Sequence, residues 1–228
     1  MIPFLSSDDP FPPLDAALRV PNGLLAAGAD LSPERLLAAY REGIFPWFGE
    51  DDPILWWSPD PRMVLRVSEV HVSRSLHKVL RANRFRVTLD TAFAQVVRGC
   101  AEARRDHEGT WITPEMQEAY GHLAALGHAH SVEAWLGDSL AGGLYGVAVG
   151  RMFFGESMFS RVSGASKVAL VRLAGQLEQW EMPVIDCQMS TPHLASLGAK
   201  DIPRADFVRE VRYLVQQAPL PAPWRFGR

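Results

Sequence analysis

Three apolar runs, HSVEAWL, SLAGGLYGVAV and MFFGESMF, follow one another with only Gly137-Asp138 and Gly150-Arg151 between them. Two-residue links that carry Gly close hairpins whose twist matches the strands they join. The runs therefore predict an antiparallel meander, and the rest of the chain must be laid against it. Upstream, the pattern predicts a strand at MVLRV from Met63, a helix from Ser73 to Asn83, a strand at FRVTL, and helices through TAFAQVVRGCAEARR and TPEMQEAYGHLAALG. Phe93, Val96, Val97 and Cys100 fall on one face of the first of those last two helices. The second has Thr as cap, Pro at the first helical position and Gly as stop. Downstream come a helix from Gly164 to Trp180, a strand at VIDCQM, a short helix in TPHLASLG and a helix from Pro203 to Gln216. The tail APLPAPWRFGR is expected on the surface. The order of elements is that of a mixed α+β protein.

The segment before Met63 has a different grammar. Residues 1–31 read as irregular, with DDPFPPL and PNG as turn chemistry. SPERLLAAYREG reads as a helix, capped by Ser32, entered through Pro33 and stopped at Gly43. The stretch IFPWFGEDDPILWWSPDPR, residues 44–62, cannot be a regular helix, because Pro46, Pro53, Pro59 and Pro61 interrupt it. It holds three of the seven Trp: Trp47, Trp56 and Trp57. Tryptophan usually fills cores and domain seams. Aromatics held on loops by proline also serve as stacking platforms for nucleobases, worth ~1–3 kcal/mol per base. Both uses are open here, and for Trp111 in EGTWITPEM. Because Trp56 and Trp57 are adjacent, at least one is expected in packing. SPDPR marks a boundary between a small N-terminal domain, 1–62, and a second domain, 63–228.

The candidate reactive residues lie on two predicted strands. In VIDCQM, alternation puts Asp186 and Gln188 on one face and Ile185, Cys187 and Met189 on the other. A carboxylate and an amide in an apolar strand need partners, or desolvation costs ~1–3 kcal/mol. They are either a structural polar pair or a reactive site at the strand's end. Glu156, beside Gly155 in MFFGESMF, has a similar setting. If the strands neighbour each other, two carboxylates and an amide meet in one cleft, which suits proton management or a bound cation. SRVSGASK, which includes Arg161 and Gly164, reads as a helix start whose amides are either capped or free for an anion. Cys187 lacks an obvious base.

Basic residues concentrate in SRSLHKVLRANRFR, at Arg74, His77, Lys78, Arg81, Arg84 and Arg86. They form either a phosphate-binding face or a solvated one. A net charge of −3 over 228 residues excludes a histone-like binder. With 47% hydrophobic residues the chain can bury one sizeable core, or a core and an annex. Only Cys100 and Cys187 are present, so a reducing cytoplasm is expected and a disulfide framework is not. The opening MIPFLSSDDPFPPLD is acidic and proline-broken, unlike a signal peptide, and no apolar run is long enough for a bilayer. The seven His give no metal set: His128-x-His130 has no further ligand at suitable spacing. No Walker loop or nucleophile elbow occurs.

The element order resembles the acetyltransferase-like (GNAT-like) fold, whose splayed central sheet opens a cleft for an acyl donor. A more specific likeness lies in the motifs. GIFPWFGEDDPILWWSPDPR, GTWI, HSVEAW, GGLYGV, FGESMFSRVSGASK, IDCQ and HLASLGA, in that order, resemble the leucyl/phenylalanyl-tRNA–protein transferase family. The likeness runs from PNGLLAAGADLSPERL to IPRADF. It implies a small N-terminal domain joined to an acetyltransferase-like domain. It further implies a cytoplasmic acyltransferase that moves Leu or Phe, less readily Met, from Leu-tRNA or Phe-tRNA to proteins beginning with Arg or Lys. The product is marked for N-end rule degradation. No cofactor, metal or membrane is implied, and a monomer is expected.

By the same resemblance Trp47 and Trp111, with Tyr40 near by, hold the 3′-terminal adenosine. Leu144, Phe153, Leu170, Leu173 and Ile185 are implied as the slot for the amino-acid side chain. Family members carry Met or Phe at some of these places. Arg74, Lys78, Arg81 and Arg84 are the candidate tRNA contacts. Asp186, helped by Gln188, is expected to orient and deprotonate the acceptor amine while Glu156 fixes the network and favours a cationic acceptor; the alternative is a proton relayed by the tRNA ribose. Two other classes remain open: a CoA-dependent N-acetyltransferase using the Gly164 loop, and a non-catalytic tRNA-binding module.

Overall fold

The computed structural model describes residues 2–108 and 110–227, of which 105–108 by backbone only. The N-terminal segment builds a sheet of its own. β1 (Phe4–Leu5), β2 (Leu24–Gly28), α1 (Pro33–Arg41), β3 (Phe45–Pro46) and β4 (Leu55–Trp57) come in order, and the strands pair as β1-β2-β4-β3. Residues 2–31 are mostly turn and coil as expected, but 4–5 and 24–28 are strands that the sequence reading did not place. LLAAG at 24–28 is buried from its second residue on, so it lacks the alternation that marks a half-exposed strand. Its antiparallel partner β4 lies beyond α1, out of reach of any local turn signal. α1 keeps its predicted start, with Ser32 Oγ accepting from the Arg35 amide at 3.3 Å and Pro33 at the first helical position.

A seven-stranded mixed sheet follows. Its elements are β5 (Arg62–Arg66), α2 (Arg74–Arg81), β6 (Arg86–Leu89), α3 (Phe93–Glu108), α4 (Pro114–Ala125), β7 (Ala129–Leu136), β8 (Ser139–Val149), β9 (Met152–Ser160), α5 (Ala165–Gln179), β10 (Val184–Gln188), α6 (Pro192–Ala195), β11 (Lys200–Ile202) and α7 (Arg204–Leu214). The strand order is β11-β5-β10-β9-β8-β7-β6. The meander β7-β8-β9 is antiparallel, as its Gly turns predict. Within this sheet, among the described residues, only β9 and β10 run parallel, and α5 supplies the crossover that a parallel pair requires. The result is a mixed α+β fold with two mixed sheets.

Strand alternation feeds two cores. Leu144 and Phe153 face α2 and α5, while Tyr145 and Phe154 face α1, α3 and α4. The N-terminal sheet joins the second of these: Tyr40, Phe45 and Trp56 share one core with Val96, Tyr120 and Phe154. The tail lies on the surface as expected except at Trp224. Trp224 is 2% exposed and stacks on His130 at 3.6 Å, and its amide donates to Asp90 at 2.7 Å. Proline marks a chain that is not regular, not one that is free. No helix among the described residues is long and apolar enough to cross a membrane.

The feature that positions the site is a split between the two parallel strands. β10 pairs with β9 only at Phe153 and Phe154, yet β9 continues along β8 to Ser160. Each strand is irregular where they part. In β9 the register slips between Ser157, opposite Tyr145, and Gly155, opposite Gly146, so Glu156 is the extra residue of a bulge. In β10 it slips between Asp186 and Gln188, and Gln188 sits at φ 64.

Gly146 is what lets the bulged strands close. A Cβ there would stand 2.2 Å from the Phe154 carbonyl oxygen and 2.6 Å from the Phe153 ring. Gly146→Ala is therefore expected to destabilise the protein by ~1–3 kcal/mol through overpacking, read as a lower denaturant midpoint.

Candidate active site

The split opens into a cavity of about 1090 Å³. Gly155 to Ser160 of β9 and Ile185 to Met189 around the end of β10 form two of its walls. At its polar end Glu156 is 7% exposed and accepts three hydrogen bonds. Tyr40 donates to Oε1 at 2.7 Å, Gln188 Nε2 to Oε1 at 2.9 Å, and Tyr120 to Oε2 at 2.9 Å. The two tyrosine hydroxyls are 2.6 Å apart. Burial pushes the Glu156 carboxyl up to about 7, against the opposing pull of the two tyrosine hydrogen bonds. Burial, then the neighbouring carboxylate, push Tyr40 and Tyr120 well above the usual phenol range, so both stay protonated donors.

Asp186 is held by a residue that the sequence placed at a domain boundary. Arg62 Nε donates to Asp186 Oδ1 at 2.8 Å and Nη2 to Oδ2 at 2.6 Å, with both side chains fully buried. Arg62 Nη1 donates to the Gly43 carbonyl at 3.1 Å, and the guanidinium lies between the Phe45 and Phe207 rings at 4.7 and 4.5 Å. Such a bidentate fork fixes a carboxylate in position and direction. Asp186 Oδ1 in turn accepts the Gln188 amide at 2.9 Å, holding that residue in its left-handed conformation with its side chain on Glu156. The expected alternation fails at this bulge, because Ile185, Cys187 and Met189 line the same cavity as Asp186 and Gln188.

The other wall is apolar. Leu144, Phe153, Leu170, Leu173 and Ile185 all line it, with Leu65 and Met158, which the sequence reading did not pick out. Trp47 and Trp111 both border the cavity. Trp47 stands edge-on to Trp57 at 5.3 Å and its carbonyl accepts the Trp57 indole N–H at 2.6 Å, whereas Trp56 is buried against Phe11. Tyr40, expected beside the adenosine, does not border the cavity: it is buried beneath Glu156.

Arg74, Lys78, Arg81 and Arg84 are exposed and lie outside the cavity. They belong to α2 and the turn after it, and α2 abuts α5 where a Cβ at Gly164 would lie 3.6 Å from Val79. The first two amides of α5 are already taken: that of Ala165 donates to the Val162 carbonyl at 3.0 Å and that of Ser166 to Ser160 Oγ at 2.9 Å. Arg62 and Tyr120 are the functional candidates that sequence reasoning missed. Both act across more than thirty residues on carboxylates already singled out, by 124 residues for Arg62 and 36 for Tyr120. The usable signal was the need of Asp186 and Glu156 for buried donors.

No activated nucleophile lines the cavity among the described residues. Burial pushes the Cys187 thiol far up, and the hydroxyls of Ser157, Ser160, Ser166 and Thr191 bond to Arg104, to one another or to the Leu194 amide rather than to a base. A pocket with a greasy end, a polar end and flat rings at its border suits direct passage of an acyl group between two bound partners, as in an acyl-transfer enzyme. Comparison with known proteins narrows the class. The family model for the leucyl/phenylalanyl-tRNA protein transferase matches residues 64–212, and that for its N-terminal domain matches 29–60. Leucyl/phenylalanyl-tRNA–protein transferases of Azoarcus sp. and Nitrosospira multiformis are 58% and 59% identical, over 98% and 99% of this chain and 95% and 97% of theirs. The chain belongs to the leucyl/phenylalanyl-tRNA–protein transferase family and is an aminoacyltransferase. A conserved protein of unknown function from Bacteroides thetaiotaomicron is 9% identical over 69% of this chain and 56% of its own, with a TM-score of 0.45, a likeness that carries no argument.

Proposed function

We propose that the protein moves Leu or Phe, and less readily Met, from Leu-tRNA or Phe-tRNA to the α-amine of proteins that begin with Arg or Lys. The observation that carries this reading is the cavity itself, with an apolar slot and a carboxylate–amide pair facing each other across diverging strands. The donor's side chain enters the slot of Leu144, Phe153, Leu170, Leu173 and Ile185. Its adenosine stacks at Trp47 and Trp111, and its phosphates meet Arg74, Lys78, Arg81 and Arg84. Such a slot separates side chains by ~1–3 kcal/mol per methylene, so discrimination by size is modest. The splayed parallel pair supports grouping residues 63–228 with the acetyltransferase-like folds, with 1–62 as the domain that supplies the aromatic border. A monomer acting in the cytoplasm completes the reading.

The reaction is aminolysis of an ester. The acceptor nitrogen bonds to the ester carbonyl carbon, the bond to the ribose oxygen breaks, and the amine's proton leaves with that oxygen. Because an α-amine titrates near ~8, the site must favour its neutral form or take up its proton. With Gln188 Nε2 committed to Glu156, the Gln188 amide oxygen is the end left to accept an N–H from the amine. Asp186, whose oxygens are taken by Arg62 and the Gln188 amide, holds Gln188 in place rather than receiving the proton itself. In this reading the ribose hydroxyl relays the proton. Tyr40 serves by orienting Glu156 rather than by touching the donor.

The test combines the purified protein, labelled Leu-tRNA and a peptide beginning with Arg, without ATP or CoA. Label is expected in the peptide. A requirement for CoA, or binding of the tRNA without transfer, would overturn the reading.

A further inference from the structure

Three tyrosines gather at the polar end of the cavity, and their hydroxyls fare differently. Those of Tyr40 and Tyr120 donate to Glu156 and lie 2.6 Å from each other. The third belongs to Tyr145, which is fully buried and lines the same cavity. Its hydroxyl has no hydrogen-bond partner among the described residues. The side-chain atoms that share this condition belong to Arg35 and Trp224, neither of which lines the cavity. A buried hydroxyl left unpaired is a cost that a fold does not keep without some return.

The position of Tyr145 is well defined. The ring stands edge-on to Phe93 at 5.9 Å and to Tyr120 at 5.6 Å, and its backbone pairs with Ser157 across the meander. Burial, then the neighbouring Glu156 carboxylate, push the Tyr145 hydroxyl well above the usual phenol range, so it stays protonated. A ligand group that satisfies this oxygen must therefore tolerate a carboxylate beside it. An anion would not, and an apolar side chain would leave the hydroxyl unpaired. An N–H donor carrying positive charge fits both neighbours and also meets the faces of the surrounding rings.

We propose that Tyr145 is an acceptor-binding residue, its hydroxyl oxygen taking a hydrogen bond from the ammonium or guanidinium of the acceptor's N-terminal side chain while Glu156 supplies the opposite charge. This assignment rests on the functional reading above, because it needs the apolar slot to be filled by the donor. It adds a specificity determinant on the strand next to Glu156.

Tyr145→Phe removes one oxygen and leaves the ring. Calorimetric binding of a short peptide beginning with Arg is expected to weaken ~10-fold, the usual loss for a hydrogen bond to a charged group. In the transfer assay the acceptor KM rises by the same factor, while kcat and the KM for Leu-tRNA stay within about twofold. The thermal midpoint is unchanged or higher, since the variant no longer buries an unpaired hydroxyl. Unchanged peptide binding overturns the assignment, as does a rise confined to the KM for Leu-tRNA. A lowered midpoint also overturns it, because that would show a structural role for the hydroxyl. A wild-type protein that binds the peptide but transfers nothing would refute the functional reading and the assignment with it, whereas unchanged peptide binding by a variant whose wild type does transfer refutes the assignment alone.

Discussion

Arg62→Met is expected to destabilise the protein by ~3–5 kcal/mol, read as a lower denaturant midpoint, and to abolish transfer. The cause is not the loss of a favourable contact as such. Taking two charges out of water costs about as much as their attraction returns, so a buried pair is a weak source of stability. Removing one partner is different, because Asp186 is fully buried and would keep its charge with no counter-ion. Arg62→Met combined with Asp186→Leu should therefore recover most of the lost stability. It should not recover the rate, because Gln188 would lose the carboxylate that accepts its amide at φ 64. A stable double variant that transfers at the wild-type rate would remove Asp186 and Arg62 from the mechanism.

Glu156→Gln should change the pH profile of stability more than stability at any one pH. The Glu156 carboxyl is raised from 4.5 to about 7 by burial. A carboxyl raised on folding binds its proton more tightly in the folded state. Its contribution is fully present below 4.5 and is lost as pH climbs through about 7. Stability owed to Glu156 therefore falls between those limits, by on the order of 3 kcal/mol in all. Glutamine does not titrate, so the variant should gain on the wild type as pH rises from about 5 to about 8. A difference in midpoint that stays flat over that range would show that Glu156 is ionised throughout. At every pH the variant should transfer more slowly, because Tyr40, Tyr120 and Gln188 converge on a carboxylate.

Much of the fold was legible because the chain announces its short-range structure. Ser32, Thr113 and Thr191 cap helices that begin with Pro, and the two Gly turns set the meander. Residues 24–28 and 55–57 were not legible as strands, since they pair across α1 and the aromatic stretch rather than through a turn. The meeting of Glu156 with Gln188 could be read from two polar residues that each lacked a partner in an apolar strand. What each would do could not. Alternation predicts a regular β10, whereas the bulge at Gln188 turns both of its faces toward the cavity. Arg62 looked like punctuation between Pro61 and an apolar run. A residue's role as counter-ion is set by where the chain returns to, and that information lies 124 residues downstream.

That separation bears on the order in which the molecule can assemble. Arg62 leaves the ribosome long before Asp186, and Tyr40 precedes Glu156 by 116 residues. Until β10 has been made, the Arg62 guanidinium has no carboxylate to balance it, and burying it against Phe45 early would be unfavourable. The N-terminal sheet therefore has reason to remain loosely attached during synthesis and to dock in a late, concerted step. Contacts of such span make for slow closure of the assembled site.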